Sequence, residues 1–187
     1  MVYGKGAILA ASEQGNVTGY ATLFMNIRSM REVNSTFGFE TGTMLLVRYA
    51  EMFDGLMGEG EAFWRLGGDN FCAFVRKDNL PKIEEVINGV DIRFGPNPEE
   101  HCIISATAGI FCIDDDSLTV NDILDAPQQC LGIARYVKHV QILHYDNEIV
   151  RLNERAKRVE AHFDEALAND EFIAYYSPKV SLLYNKL

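Results

Sequence analysis

The sequence predicts an α+β domain: a mixed sheet flanked by helices, of the ferredoxin-like or polymerase-palm-like kind, followed by one long helix. Three observations predict it. Apolar runs of strand length alternate with amphipathic stretches in the order β-α-α-β-β-α-β-α-β. One clear hairpin sits in the middle of that order, which disfavours a doubly wound parallel sheet. The composition, 48% hydrophobic and 24% charged over 187 residues, suits one globular domain with a core and an appendage.

Each element follows from its pattern. "ATLFMNI" (21–27) is an apolar run of strand length, and "RSMREVN" reads as a turn or two of helix. In "ETGTMLLVRYAEMFDGLM", Leu45, Tyr49, Met52 and Leu56 recur at spacings of 4, 3 and 4, an amphipathic helix. "EAFWRL" and "FCAFVRK" read as strands around Gly67–Gly68, where the turn needs positive φ. Asn79 is placed to cap "LPKIEEVINGV", with Pro81 in its first turn. "GPNPEE" is a loop. "CIISATAGIFCI" is one long strand, or two strands broken at Gly109. "DDDSLT" is a loop offering Ser117 or Thr119 as caps. "VNDILDAPQQCLGIARYV" is a helix open to bending at Pro127 and Gly132, and "QILHY" is a final strand.

After Tyr145 the chain becomes highly charged. Ile149, Leu152, Ala156, Val159, Phe163 and Leu167 recur at spacings of 3, 4, 3, 4 and 4, so a single helix is expected over 147–170. Its narrow apolar stripe needs a partner: the domain itself, a second copy or a following domain. "EFIAYYSPKVSLLYNKL" begins strand-like and reads as the first piece of another domain.

Composition also excludes. A net charge of −10 argues against broad binding to nucleic acid or anionic membrane, while leaving room for a local basic site. The apolar runs fall well short of the ~20 residues that span a bilayer, and no secretory leader is evident. The four cysteines form no C-x-x-C pair and three lie in apolar segments, so free thiols in a reducing cytoplasm are expected. The histidines show no metal-ligand spacing.

"RLGGDNF" (65–71), placed on the hairpin, is similar to the GGDEF signature of diguanylate cyclases. "FMNIRSMREVNSTFGFETGTMLL" resembles that family's first-strand motif and the two helices after it, with Asn34, Gly38 and Gly42 at matching positions. "ISATAGI" resembles the strand that follows, and "QQCLGIAR" the late helix. The tail "FDEALANDEFIAYYSPKVSL" is similar to the opening of an EAL domain, a cyclic-di-GMP phosphodiesterase module. It is the co-linear set, spanning residues 20–187, that carries the resemblance. It implies a nucleotide cyclase-like fold divided into a degenerate GGDEF domain over 1–146, a linker helix over 147–170 and an EAL fragment over 171–187.

The resemblance also implies a chemistry. The family joins two GTP molecules into cyclic di-GMP across a pair of domains: a 3′-hydroxyl attacks an α-phosphate and pyrophosphate leaves. Two divalent cations must neutralise the triphosphate, and hard oxygen ligands must hold them. The family's first metal-binding Asp aligns with Asn26, and its signature Glu with Asn70. Asp69 remains, with the Ile27 backbone as the other available ligand. Efficient cyclisation is therefore not expected. By the same resemblance, nucleotide contacts fall on Met30, Arg31, Asn34, Thr43, Gly67, Gly68, Arg135 and His139. Thr43 stands where an Asp would read guanine, and one hydroxyl cannot accept from both N1–H and the 2-amino group, so guanine specificity is in doubt. The turn from Arg28 to Arg31 offers backbone N–H groups to phosphate. Arg31 and Arg135 take Lys positions, and Arg135 can bind phosphate bidentately. His139 takes an Arg position and is mostly neutral at pH 7. The R-x-x-D motif of product inhibition would fall at Gly58 and Glu61 and is absent.

The same residues have plain structural uses. Asn26 and Asn34 suit strand-end and cap positions, Gly67, Gly68 and Asp69 suit a turn, Arg31 and Arg135 suit a solvated surface, and Trp64 and Phe71 suit a core. Three functions stay open. One is a catalytically inactive regulatory domain that binds GTP or another nucleotide, with magnesium if nucleotide binds, and acts on a C-terminal EAL domain. Another is a dimerisation or docking module, a homodimer for instance, with no ligand. The third is residual cyclase activity through Asp69.

Overall fold

The computed structural model describes residues 2–97 and 99–176, which fall into two units, Met1–Val150 and Arg151–Leu187. The first unit is built on a five-stranded sheet. Its central strand β1 (Tyr20–Ile27) lies antiparallel between β3 (Asn70–Arg76) and β6 (Ala106–Cys112). β2 (Ala62–Gly67) pairs with β3 at one edge, and β7 (Ile142–His144) runs parallel to β6 at the other. The sheet is therefore mixed, as the mid-chain hairpin predicts.

β1 is apolar almost throughout because both faces of the sheet are covered. Ala21, Leu23, Met25 and Ile27 pack with α2 (Met30–Phe37), α3 (Phe39–Asp54) and α4 (Leu80–Asn88). Tyr20, Cys72, Phe74 and Phe111 form a second core with α1 (Val2–Glu13) and α5 (Val120–Ile133). Helix α1 is not anticipated by its glycine-rich sequence, since glycine disfavours helix. Packing overrides that preference. Ile8 and Ala11 are buried, and a Cβ at Gly4 would stand 2.4 Å from the Trp64 ring, so the small residue lets the helix approach.

Several boundaries differ from expectation. In α3 the buried face is Leu45, Leu46, Tyr49 and Phe53, while Met52 is exposed and Leu56 lies beyond the helix. The face is turned so that Phe53 stacks on Phe63, ring centroids 4.7 Å apart. Asn79 makes no side-chain cap; its amide donates to the Leu56 carbonyl and to Glu61 Oε2 instead. Helix α4 ends at Asn88, and the chain enters β4 (Val90–Arg93), which pairs with β5 (His101–Ile104) in a separate two-stranded sheet. The long apolar stretch thus breaks at Ser105 and not at Gly109. Gly109 lies inside β6, where a Cβ would come within 2.2 Å of the Pro127 carbonyl and 2.4 Å of the Leu131 amide. Both are backbone atoms of α5. Gly109→Ala is expected to destabilise the domain by about 2–3 kcal/mol through overpacking, read as a lower urea midpoint at unchanged slope.

Thr119 rather than Ser117 caps α5, in a reciprocal capping box with Asp122. The Thr119 hydroxyl and amide hold the Asp122 carboxyl below its usual pKa. The sign follows. This cap's stabilisation is present above the unfolded-state pKa of ~3.9 and is lost as pH falls through the lower folded value. Further along, α5 runs on through Pro127. Proline has no N–H, so the Ile123 carbonyl one turn earlier loses its helical donor. The buried Thr22 hydroxyl supplies one, donating to the Ile123 carbonyl at 2.7 Å. Thr22→Val is expected to cost about 2 kcal/mol by leaving that carbonyl unpaired. The cost should shrink in a Pro127→Ala background, where residue 127 regains its amide. A double-mutant cycle by urea denaturation that shows no coupling would remove this account.

Among the described residues the cysteines are free, with Cys72 and Cys130 buried and Cys102 and Cys112 half-buried. Burial pushes the Cys130 thiol up to about 12. No helix among them is long and apolar enough to cross a membrane. The expected late helix is α6 (Asn147–Ala168). Its Ile149 is buried, in the first unit. In the second unit Val159, Phe163 and Leu167 are exposed, and Phe172 lies against Phe163 with ring centroids 5.2 Å apart. Residues 171–176 have no regular secondary structure. The rest of the strand-like segment, 177–187, lies outside the described residues.

Candidate functional site

The register of β1 builds a polar row across three strands. Asn26 stands opposite Asn70 of β3 and Thr107 of β6. Asn26 is buried, and its Nδ2 donates to Asn70 Oδ1 at 3.0 Å. The Asn70 amide donates in turn to Asp69 Oδ1 at 3.2 Å and to the Gly67 carbonyl at 3.3 Å. The hairpin itself turns at Gly67 and Gly68, with φ of +145° and +56°. Side chains rarely adopt those angles, so glycine is required by conformation there and not by crowding. Further bonds hold the turn in place. Arg65 Nε donates to the Gly68 carbonyl at 2.8 Å, and the Ile27 amide donates to the Asp69 carbonyl at 2.9 Å. The Ile27–Asp69 bond ties the hairpin to the end of β1.

Beyond Ile27 the chain turns sharply. The Arg28 amide donates to the Ser105 carbonyl at 2.9 Å, and Ser29 takes φ of +56° before α2 begins at Met30. Facing this turn, α5 does not simply stop. It widens into a π-helical turn over Ala134–Lys138, which ends at His139 with φ of +52°. Such widened turns re-aim side chains. Here Arg135, Tyr136 and His139 reach a cavity of about 490 Å³ whose other wall is the β1–α2 turn.

Among the residues expected at a site, Asn26, Ile27, Met30, Arg31, Asp69, Arg135 and His139 line this cavity together. Asn70 reaches it indirectly, through its bonds to Asn26 and Asp69. Gly67 and Gly68 form the turn outside its lining. Asn34 and Thr43 also stand outside the lining. The Asn34 carboxamide lies against α3, where a Cβ at Gly42 would come within 1.9 Å of its oxygen. The lining also contains Glu32, Thr107 and Tyr136, which sequence reading does not single out. Thr107 was reachable only through the pairing register, and Tyr136 only through the π turn.

The charge balance of the cavity is distinctive. Arg28, Arg31 and Arg135 face it along with the carboxylates Asp69 and Glu32. The guanidinium of Arg135 lies over the Tyr136 ring at 5.2 Å. Lys138, on the same turn, is engaged elsewhere in a 2.6 Å ion pair with Glu148. For a pair of divalent cations the donor set does not fit. Among the described residues no group of three or more His, Cys, Asp or Glu is placed to hold a metal. Two of the side chains around Asp69 are neutral amides that are already bonded to each other or to it.

A second carboxylate is notable for pointing inward. Glu61 is buried and accepts from the Gly58 amide at 2.6 Å, the Arg76 amide at 2.7 Å and Asn79 Nδ2 at 2.9 Å. It staples the loop before β2 to the end of β3.

Fold and hairpin define a domain of the GGDEF class, and the chain belongs to that family: residues 8–138 match the family described as diguanylate cyclase, GGDEF domain. Among curated relatives it resembles MucR of Pseudomonas aeruginosa, a bifunctional diguanylate cyclase/cyclic di-GMP phosphodiesterase. The two are 21% identical over 165 residues, covering 86% of this chain and 24% of MucR. The chain thus spans about a quarter of that relative. Among solved structures, the GGDEF domain of TpbB (also called YfiN) from Pseudomonas aeruginosa superposes with a TM-score of 0.66 at 20% identity, covering 82% of this chain and 93% of that one. The active GGEEF domain of a diguanylate cyclase from Vibrio cholerae gives a TM-score of 0.59 at 17% identity, covering 76% and 91%. At these identities the likeness is one of fold.

Proposed function

We propose that this chain is a catalytically inactive GGDEF domain that binds a nucleotide through its phosphates and regulates a following EAL phosphodiesterase domain in cyclic-di-GMP signalling. The observation that carries the first part is the Asn26–Asn70 amide pair at 3.0 Å. In the reading by resemblance, both positions belong to cation-holding carboxylates. Losing one electrostatic element of a site typically costs about 10²–10³ in rate, and two losses cost more even though they need not add. Arg31 and Arg135, basic residues at the family's Lys positions, support phosphate binding. The tail sequence and the dual activity in MucR's name support the EAL connection.

The test is direct. Incubation with GTP and magnesium is expected to yield no cyclic di-GMP above a blank. Product that disappears on Asp69→Ala would overturn the inactive reading and establish residual cyclase activity. Calorimetry with GTP and ATP tests the binding part, which fails if neither gives heat at millimolar concentration. A second reading, a dimerisation or docking module, is favoured by the exposed Val159, Phe163 and Leu167 on α6. It predicts self-association with no nucleotide dependence, measurable by sedimentation.

A further inference from the structure

The cavity between the β1–α2 turn and the π turn carries a more specific inference, which rests on the nucleotide-binding reading above. We infer that its ligand is an oligophosphate anion free of divalent cation, neutralised by the protein's own guanidiniums. In a chain of net charge −10, three arginines, Arg28, Arg31 and Arg135, converge on one cavity. None of them makes an ion pair among the described residues. Unpaired cations gathered in an acidic protein focus potential on an anion. Arginine suits phosphate in particular, because its fork of donors matches phosphate oxygens. Thr107 adds a hydroxyl. It lines the cavity and is only 9% exposed.

The same wall is poor in places for a metal. Asn26 presents a neutral amide, and Asp69 already accepts from the Asn70 amide. A magnesium-chelated phosphate chain would bring charge that the protein cannot coordinate, and would occupy the oxygens that the arginines need. Magnesium in solution then competes with the cavity for the anion. Recognition is of the phosphate chain and not of the base, since Asn34 and Thr43 lie outside the lining.

The experiment is calorimetric titration of the 187-residue chain with inorganic pyrophosphate and with GTP, each in EDTA and in excess magnesium. Both ligands are expected to bind in EDTA, and excess magnesium is expected to weaken the apparent affinity of each. Arg31→Gln and Arg135→Gln, both exposed positions, are each expected to weaken binding about tenfold in EDTA, the loss of one charge-assisted contact. Equal or tighter binding in magnesium overturns the inference while leaving nucleotide binding intact. GTP binding without pyrophosphate binding also overturns it and points to the base. Arginine variants that bind like the parent, with unchanged circular dichroism, overturn it as well. No binding of either ligand in any condition overturns both this inference and the binding reading beneath it.

Discussion

The double substitution Asn26→Asp/Asn70→Glu is expected to make the stability of this domain depend on divalent cation. In the parent, the two amides are bonded at 3.0 Å, and the Asn70 amide donates to Asp69. Replacing both removes a donor at each contact and gathers three carboxylates around one buried point. Like charges so close, with Asn26 largely shielded from water, cannot all ionise without cost. A buried charge without its partner typically costs about 3–5 kcal/mol. For a chain of this size that is a fall in Tm of roughly 6–20 °C in EDTA. Millimolar magnesium should restore most of it, because a ligand that binds only the folded state stabilises by mass action. The parent's Tm should not respond to magnesium. A double variant as stable as the parent in EDTA, or one indifferent to magnesium, would show that these positions do not adjoin as a cation site. Once stability is restored, turnover of GTP by the variant tests the proposal that the two amides abolish the reaction.

Glu61→Ala is expected to be the most destabilising single truncation of a polar side chain, at about 3–4 kcal/mol. The carboxylate accepts from two backbone amides and one side-chain amide at 2.6, 2.7 and 2.9 Å, while only 8% exposed. Bonds to a charged acceptor are worth about 1.5–3 kcal/mol each, and deletion strands the Gly58 and Arg76 amides. Glu61→Gln should lose less, since it keeps one acceptor oxygen but turns an NH₂ toward donors. Urea denaturation of both variants checks the order. If alanine and glutamine are equal, or both are neutral, Glu61 is not the staple described.

Some of this was legible in the residues alone. The mid-chain hairpin followed from Gly67–Gly68 between two apolar runs, because a turn with positive φ has few other solutions. The mixed sheet followed from strand order. What proved illegible depended on neighbours far along the chain. Gly109 looks like a break in a strand, yet it is there because α5 passes directly over it. Asn79 looks like a cap, yet its amide is claimed by Leu56 and Glu61. Helix α1 has weak propensity and owes its place to Trp64.

The candidate site divides along the same line. By itself the sequence determined which chemical groups are available: one aspartate, asparagines where the resemblance calls for acids, and arginines on either side of them in the chain. Those are matters of composition at aligned positions, and local reading reaches them. Only the tertiary structure decided which groups meet. It set Asn26 against Asn70 through the β1–β3 register, and opened a π turn that brings Arg135 to face Arg28 and Arg31. It also left Asn34 and Thr43 outside. Strand register and helix widening arise from packing between elements distant in sequence, and no local pattern encodes them.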